Sequence, residues 1–306
     1  MNRKLFFELS EIKTTVLDVA WFILAVSYSY FSIGTFDFIN GILGFIAVFF
    51  IHIIINFHNN YMDFRNSKSE NYRKKISTIG VNRELLVIVK KWMYGLTIFP
   101  LLIGAFLVYR TNWWTLLIGI ICVIVGLAYS AGPKPLNSTM FGSAVVAIAI
   151  SILIPVVYVY LGTVSSGRLT SSVIVNTIIV CLPNMFAMFS AQLCNDTCDL
   201  EADKKNGRKT LVSKIGKTNA LSLFKASWWL AFLLIPILAV LQVVPYITMI
   251  VVLLYPNIWD NYHPYLKDQV KKKTYPLVMK AVVKLVNVYI FLVAVGAIIK
   301  LIRTIL

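Results

Sequence analysis

The sequence predicts an all-α integral membrane protein: one polytopic domain over residues 1–306, built as a bundle of about nine transmembrane helices. Two observations carry that prediction. Of the 306 residues 58% are hydrophobic and only 14% are charged, and the mean hydropathy is +0.77, a composition outside the range of soluble globular domains. Apolar stretches close to the ~20 residues that a helix needs to cross a bilayer recur along nearly the whole chain. They leave no room for a soluble domain of ordinary size.

Taken in order, the first apolar run, 15–34, follows the segment MNRKLFFELSEIKTT. It is long enough to span and no small-residue cleavage site stands out, so it reads as a retained helix rather than a signal peptide. Further spans follow at 38–62, 86–109, 113–131, 140–162, 171–195 and 220–243. The eighth, 245–259, is bracketed by Pro245 and Pro256 and reads as a short or re-entrant helix. The ninth is 279–302, and no internal repeat or low-complexity tract interrupts the series.

The formal net charge is +16. In a soluble protein that excess would suggest nucleic acid, but its placement excludes this reading. Arg65, Lys68, Arg73, Lys74, Lys75, Arg83, Lys90 and Lys91 lie between the second and third spans; Lys204, Lys205, Arg208, Lys209, Lys214, Lys217 and Lys225 lie between the sixth and seventh. Lys134 and the lysines from Lys267 to Lys284 fall on the same side, whereas the opposite loops hold little beyond Arg110 and Arg168. The positive-inside rule then puts the N-terminus and these loops in the cytosol. An odd number of spans puts the C-terminus outside, with Lys300 and Arg303 as a mild exception. Contact with anionic lipid headgroups accounts for most of these cations. Cys122, Cys181, Cys194 and Cys198 read as small core residues, since no His near Cys194 and Cys198 completes a metal site.

Two polar stripes need a further reason. At about 100° per residue, Asp196, Asp199 and Asp203 share one face at the end of the sixth span, while Glu201 points away. Like charges stacked at this spacing repel one another, so such a face invites cations. At the end of the second span, Asn56, Asn59, Asn60 and Asp63 form a similar stripe, with His52 one turn deeper. Amides and a carboxylate are costly in an apolar helix unless they face the bundle interior or a cavity; His52 alone reads as a hydrogen-bonding or packing residue. Both stripes are followed at once by basic segments, RNSKSENYRKK and KKNGRKTL. Oxygen ligands beside Arg and Lys suit Mg²⁺ together with substrate phosphates. The implied ligand is a diphosphate whose lipid tail lies among the helices.

These residues resemble the UbiA superfamily of intramembrane aromatic prenyltransferases. NNYMDFRNSKS is similar to that family's first Asp-rich motif and NDTCDLEADKKNGRKTL to its second. YSAGPKPL, residues 129–136, is similar to a segment of the branch that prenylates 1,4-dihydroxy-2-naphthoate in menaquinone synthesis. The first motif departs from the family pattern: Asn60 stands at the usual first Asp position and Ser67 and Ser69 at later ones, with Glu70 as a nearby substitute. The resemblance implies a Mg²⁺-dependent attack of the naphthoate ring on a polyprenyl carbocation, with loss of CO₂ to give demethylmenaquinone. It implies Asn60, Asp63, Asp196, Asp199 and Asp203 as metal ligands, Asp63 and Asp199 being central to catalysis. Asn56 and Asn59 support the metal, and Arg73, Lys74, Arg208 and Lys209 meet the diphosphate. Tyr129 and Lys134 are assigned to the acceptor side. Rival readings are prenylation of 4-hydroxybenzoate or haem, a transporter, and a non-catalytic lipid-binding member of the fold.

Overall fold

A computed structural model of the chain describes residues 3–66, 79 and 84–306. Two short helices, α1 (Arg3–Leu9) and α2 (Ile12–Thr15), precede the first apolar helix, α3 (Leu17–Ile33). α4 (Phe38–Asn66) opens on Asp37, whose side chain accepts a hydrogen bond from the Asn40 N–H at 3.0 Å. α5 (Glu84–Arg110) and α6 (Trp113–Ser130) are joined by a tight turn in which Asn112 caps the Trp114 N–H at 2.9 Å. α7 (Gly142–Ser166) contains a widened π turn at Ala149–Leu153, immediately ahead of Pro155. α8 (Ser171–Cys198) and α9 (Leu200–Lys205) meet at Asp199, and α10 (Leu211–Val240) starts at the Thr210 cap. A 3₁₀ segment (Tyr246–Leu254), α11 (Tyr255–Lys267) and α12 (Tyr275–Ile305) complete the chain.

Seven helices are long and apolar enough to cross a membrane: α4, α5, α6, α7, α8, α10 and α12. The shorter α3 and the segment from Tyr246 to Lys267 bring the apolar elements to about nine among the described residues. Three boundaries differ from the sequence expectation. The helices up to residue 15 escape notice because, at seven and four residues, they are too short to carry a period. α10 begins nine residues before the expected 220 and is kinked at Gly216, where φ is +81, so Lys214 and Lys217 lie in helical turns on either side of the kink rather than in a loop. The eighth span is a nine-residue 3₁₀ stretch, with Pro245 at its start, continued by a polar helix that accommodates Pro256 in its first turn.

The core lies where α3, α8, α10 and α12 meet, and its largest sealed side chains include Trp21, Tyr158, Phe224, Leu285 and Tyr289. α5 and α6 sit at the margin: only 11% and 6% of their apolar windows are buried, so these helices offer their apolar surface to lipid. Tyr109, Trp113 and Trp114 stand exposed where α5 turns into α6, the chemistry expected of side chains at a headgroup level. Cys181 and Cys194 are buried and Cys122 and Cys198 partly so, in keeping with small core residues.

Candidate functional site

The polar stripe of α4 is covered by the N-terminal segment. Asn56 Nδ2 donates to the Ser10 carbonyl at 2.9 Å and to Thr15 Oγ1 at 3.3 Å, while Asn60 Nδ2 donates to the Leu9 carbonyl at 3.3 Å. Amides that would be a liability in hydrocarbon are thereby satisfied by the corner between α1 and α2. The corner residue, Glu11, has φ +48. That left-handed backbone costs a side-chain-bearing residue roughly 1–2 kcal/mol. Glu11 remains solvent-accessible, yet dense packing about its carboxyl raises its pKa; His52 opposes the rise, Asp63 adds to it, and a hydrogen bond from Asn60 opposes it again. Asn56 and Asn60 spend their amide nitrogens on these bonds, which leaves their carbonyl oxygens as acceptors. Asn59 Oδ1 is buried with no hydrogen-bond partner.

The second stripe comes from α8 and α9. Ser143 Oγ of α7 donates to Asp196 Oδ2 at 2.5 Å, and Asn195 Nδ2 donates to the other oxygen at 3.4 Å. Asp199 pairs with Lys271, whose ammonium also donates to Asn195 Oδ1. Asp203 is buried, and burial pushes its pKa up to about 6; Arg208 opposes the shift while Asp196 and Asp199 reinforce it. α9 ends in a Schellman turn: the Arg208 N–H donates to the Asp203 carbonyl and the Gly207 N–H to the Lys204 carbonyl, both at 3.0 Å. Gly207 at φ +74 supplies the left-handed backbone that this turn needs.

That turn brings Arg208 back across both stripes. Its Nη2 lies 2.7 Å from Asp63 Oδ1 on α4, and its Nη1 lies 3.6 Å from Asp203 Oδ1 on α9. One guanidinium therefore joins carboxylates 140 residues apart in sequence. The Lys209 N–H donates to the Ser138 carbonyl at 2.9 Å, tying the same turn to the segment after α6. Tyr129, at the end of α6, stands within electrostatic reach of Asp196, Asp63, Arg208 and Glu11. Asn56, Asn59, Asn60, Asp63, Tyr129, Asp196, Asp199, Asp203 and Arg208 thus occupy one end of the bundle. Lys134 and the side chain of Lys209 are exposed, with no ion pair among the described residues. Arg73 and Lys74 lie outside the described residues, as do Ser67, Ser69 and Glu70.

Three members of this site were not singled out from sequence. Lys271 was one charge among many in a basic stretch, Ser143 one hydroxyl in an apolar helix, and Glu11 an acid ahead of the first span. No local spacing links any of them to the motifs.

The donors suit a hard cation. Among the described residues no three His, Cys, Asp or Glu side chains converge on one point; Arg208 and Lys271 hold Asp63, Asp203 and Asp199 instead. Mg²⁺ needs only one or two carboxylates when phosphates and water complete its shell. The buried, unpartnered Asn59 Oδ1 is an oxygen donor of the right kind.

A model of the UbiA prenyltransferase family matches residues 19–283. A curated relative, the 1,4-dihydroxy-2-naphthoate octaprenyltransferase of Bacillus subtilis (strain 168), is 27% identical over 200 residues, a match that spans 63% of this chain and 61% of that relative's length. Solved structures share the fold. A digeranylgeranylglyceryl phosphate synthase aligns with TM-score 0.65 at 19% identity, covering 96% of this chain and 98% of that one. A UbiA homologue from Aeropyrum pernix K1 aligns with TM-score 0.65 at 14% identity, covering 90% and 98%. A UbiA homologue from Archaeoglobus fulgidus bound to GPP and Mg²⁺ aligns with TM-score 0.54 at 16% identity, covering 95% and 99%.

Proposed function

The chain belongs to the UbiA prenyltransferase family, and from that premise we propose that it transfers a polyprenyl group from a polyprenyl diphosphate to 1,4-dihydroxy-2-naphthoate. Loss of the ring carboxylate as CO₂ then gives the demethylmenaquinone skeleton in its reduced, hydroquinone form. The observation that carries the reading is the Arg208 bridge between Asp63 and Asp203, which sets two acidic stripes and their cations around one space at the end of an apolar bundle. The naphthoate acceptor is supported by YSAGPKPL and by the named activity of the Bacillus subtilis relative.

Asn59, Asn60, Asp63, Asp196, Asp199 and Asp203 would hold Mg²⁺, which supplies neutralisation of the departing diphosphate. Arg208 and Lys271 exchange their carboxylate partners for phosphate oxygens when the donor arrives, with Arg73, Lys74 and Lys209 as further contacts. A guanidinium suits this exchange because its planar fork matches carboxylate and phosphate alike. Ser143 and Asn195 keep the Asp196 carboxylate oriented, and Tyr129 and Lys134 face the aromatic acceptor. The prenyl tail lies among the helices, which requires no organic cofactor. The protein sits in the cell membrane with its N-terminus and this site on the cytosolic side and its C-terminus outside.

Purified protein supplied with Mg²⁺, 1,4-dihydroxy-2-naphthoate and farnesyl or geranylgeranyl diphosphate, with product followed by mass spectrometry beside Asp199→Asn, tests the reaction. Metal-dependent prenylated naphthoate, lost in the variant, is the expected result. Turnover only with another aromatic overturns the acceptor assignment.

A further inference from the structure

One turn below Asn56, about 6 Å along α4, the stripe contains a second titratable group. His52 Nδ1 lies 3.1 and 3.0 Å from the two carboxylate oxygens of Asp18, in the first turn of α3. Asp18 has no exposed side-chain surface, while His52 keeps 11%. With Asp18 ionised its carboxylate only accepts, so Nδ1 donates and the ring presents a lone pair on Nε2. Among the described residues Nε2 has no hydrogen-bond partner.

Packing does not account for this pair, because two apolar side chains would fill the same volume without the cost of burying a carboxylate. An ionisable pair inside a membrane bundle marks a functional position, and this one shares its helix face with Asn56, Asn59 and Asp63. The charged and titratable groups facing His52 are Asp18 from α3 and Glu11 from the α1–α2 corner. Behind Asp18 stands Tyr158 of α7, whose buried hydroxyl has no hydrogen-bond partner. An oriented imidazole with a free nitrogen, backed by a buried carboxylate, is the arrangement of a general base.

We propose that His52 accepts the proton of a ring hydroxyl of the aromatic acceptor, and that Asp18 is the positioning residue that holds its tautomer. The inference rests on the prenyl-transfer reading. In the step, the acceptor O–H bond breaks and its proton passes to Nε2. The oxygen's electron pair moves into the ring, whose carbon bonds to the first prenyl carbon as the bond from that carbon to the diphosphate oxygen breaks. The diphosphate leaves with that electron pair. The imidazolium is held against the Asp18 carboxylate until it returns its proton to water.

The test uses the full chain in detergent with His52→Gln and Asp18→Asn. Mg²⁺-dependent binding of farnesyl diphosphate is read by calorimetry, and kcat and KM for the acceptor are read across pH. His52→Gln is expected to bind the diphosphate within about twofold of wild type while kcat falls about 10²- to 10³-fold. The deficit should shrink as rising pH ionises the acceptor hydroxyl without help. Asp18→Asn is expected to lower kcat with KM little changed; if this buried variant does not fold, His52→Gln alone decides. An unchanged kcat in His52→Gln, or parallel loss of diphosphate binding and turnover at every pH, overturns the proposal. A wild-type protein that prenylates no aromatic overturns the underlying reading, an outcome separate from both.

Discussion

The two polar stripes that face each other across the site have similar helical spacing and opposite local economies. On α4 the asparagines turn their amide nitrogens to the Leu9 and Ser10 carbonyls and so fasten the N-terminal segment over the bundle. On α8 and α9 each aspartate is met by a hydroxyl or a cation: Asp196 by Ser143, Asp199 by Lys271, Asp203 by Arg208. The first stripe is mostly scaffold with one carboxylate, and the second is mostly charge. A shared i, i+3, i+4 pattern therefore does not imply shared work; the donors and acceptors opposite each side chain decide it.

The largest effect should come from the charged stripe. Asp199→Asn removes the partner of Lys271 and is expected to lower turnover about 10²- to 10³-fold, on the scale of losing one electrostatic stabiliser, with little change in thermal unfolding because this ion pair is half-exposed. Asn56→Ala tests the scaffold stripe. It leaves the Ser10 carbonyl unmatched and is expected to cost about 1–3 kcal/mol of stability, with faster amide exchange confined to residues 3–15. If Asn56→Ala instead abolished metal binding without loosening that segment, the division between the stripes would be wrong.

The pH response sharpens the same contrast. The folded pKa of Asp203, about 6, exceeds the ordinary aspartate value of 3.8, so between these values the metal-free protein holds a proton that the unfolded chain has released. Its contribution favours the folded state at low pH, and that contribution is lost as pH rises through about 6. Metal must displace the same proton, so Mn²⁺ or Mg²⁺ affinity, measured by titration calorimetry, should fall up to about tenfold per unit as pH drops below about 6. Asp203→Asn should flatten that dependence. The smallest effect is expected at Glu11→Gly: relief of the left-handed backbone, about 1 kcal/mol, is offset by loss of the Asn60 hydrogen bond and by the freer unfolded chain, read as little change in Tm.

What was legible in sequence follows from range. The apolar spans announce themselves because crossing hydrocarbon takes many consecutive residues, and the carboxylates of 196–203 because their spacing is local. α1 and α2 were not legible, being too short to carry a period, nor was the 3₁₀ form of 246–254, which hydropathy does not distinguish from helix. Asp18 with His52, Ser143 with Asp196 and Lys271 with Asp199 are pairings across 34, 53 and 72 residues. Only the packing of the bundle brings them together. His52 had the hydrogen-bonding role expected of it, but its partner lay in a helix that the hydropathy pattern treated as plain apolar span.

The central claim is that the α4 and α8–α9 stripes bind one ligand together. A double-mutant cycle on Mg²⁺-dependent farnesyl diphosphate binding, with Asp63→Asn, Asp199→Asn and the double variant, tests it most directly. The account predicts strong non-additivity, the double variant binding little worse than either single one, because either loss already disables the shared site. Free-energy changes that simply add would mean that the two stripes act independently, and would contradict it.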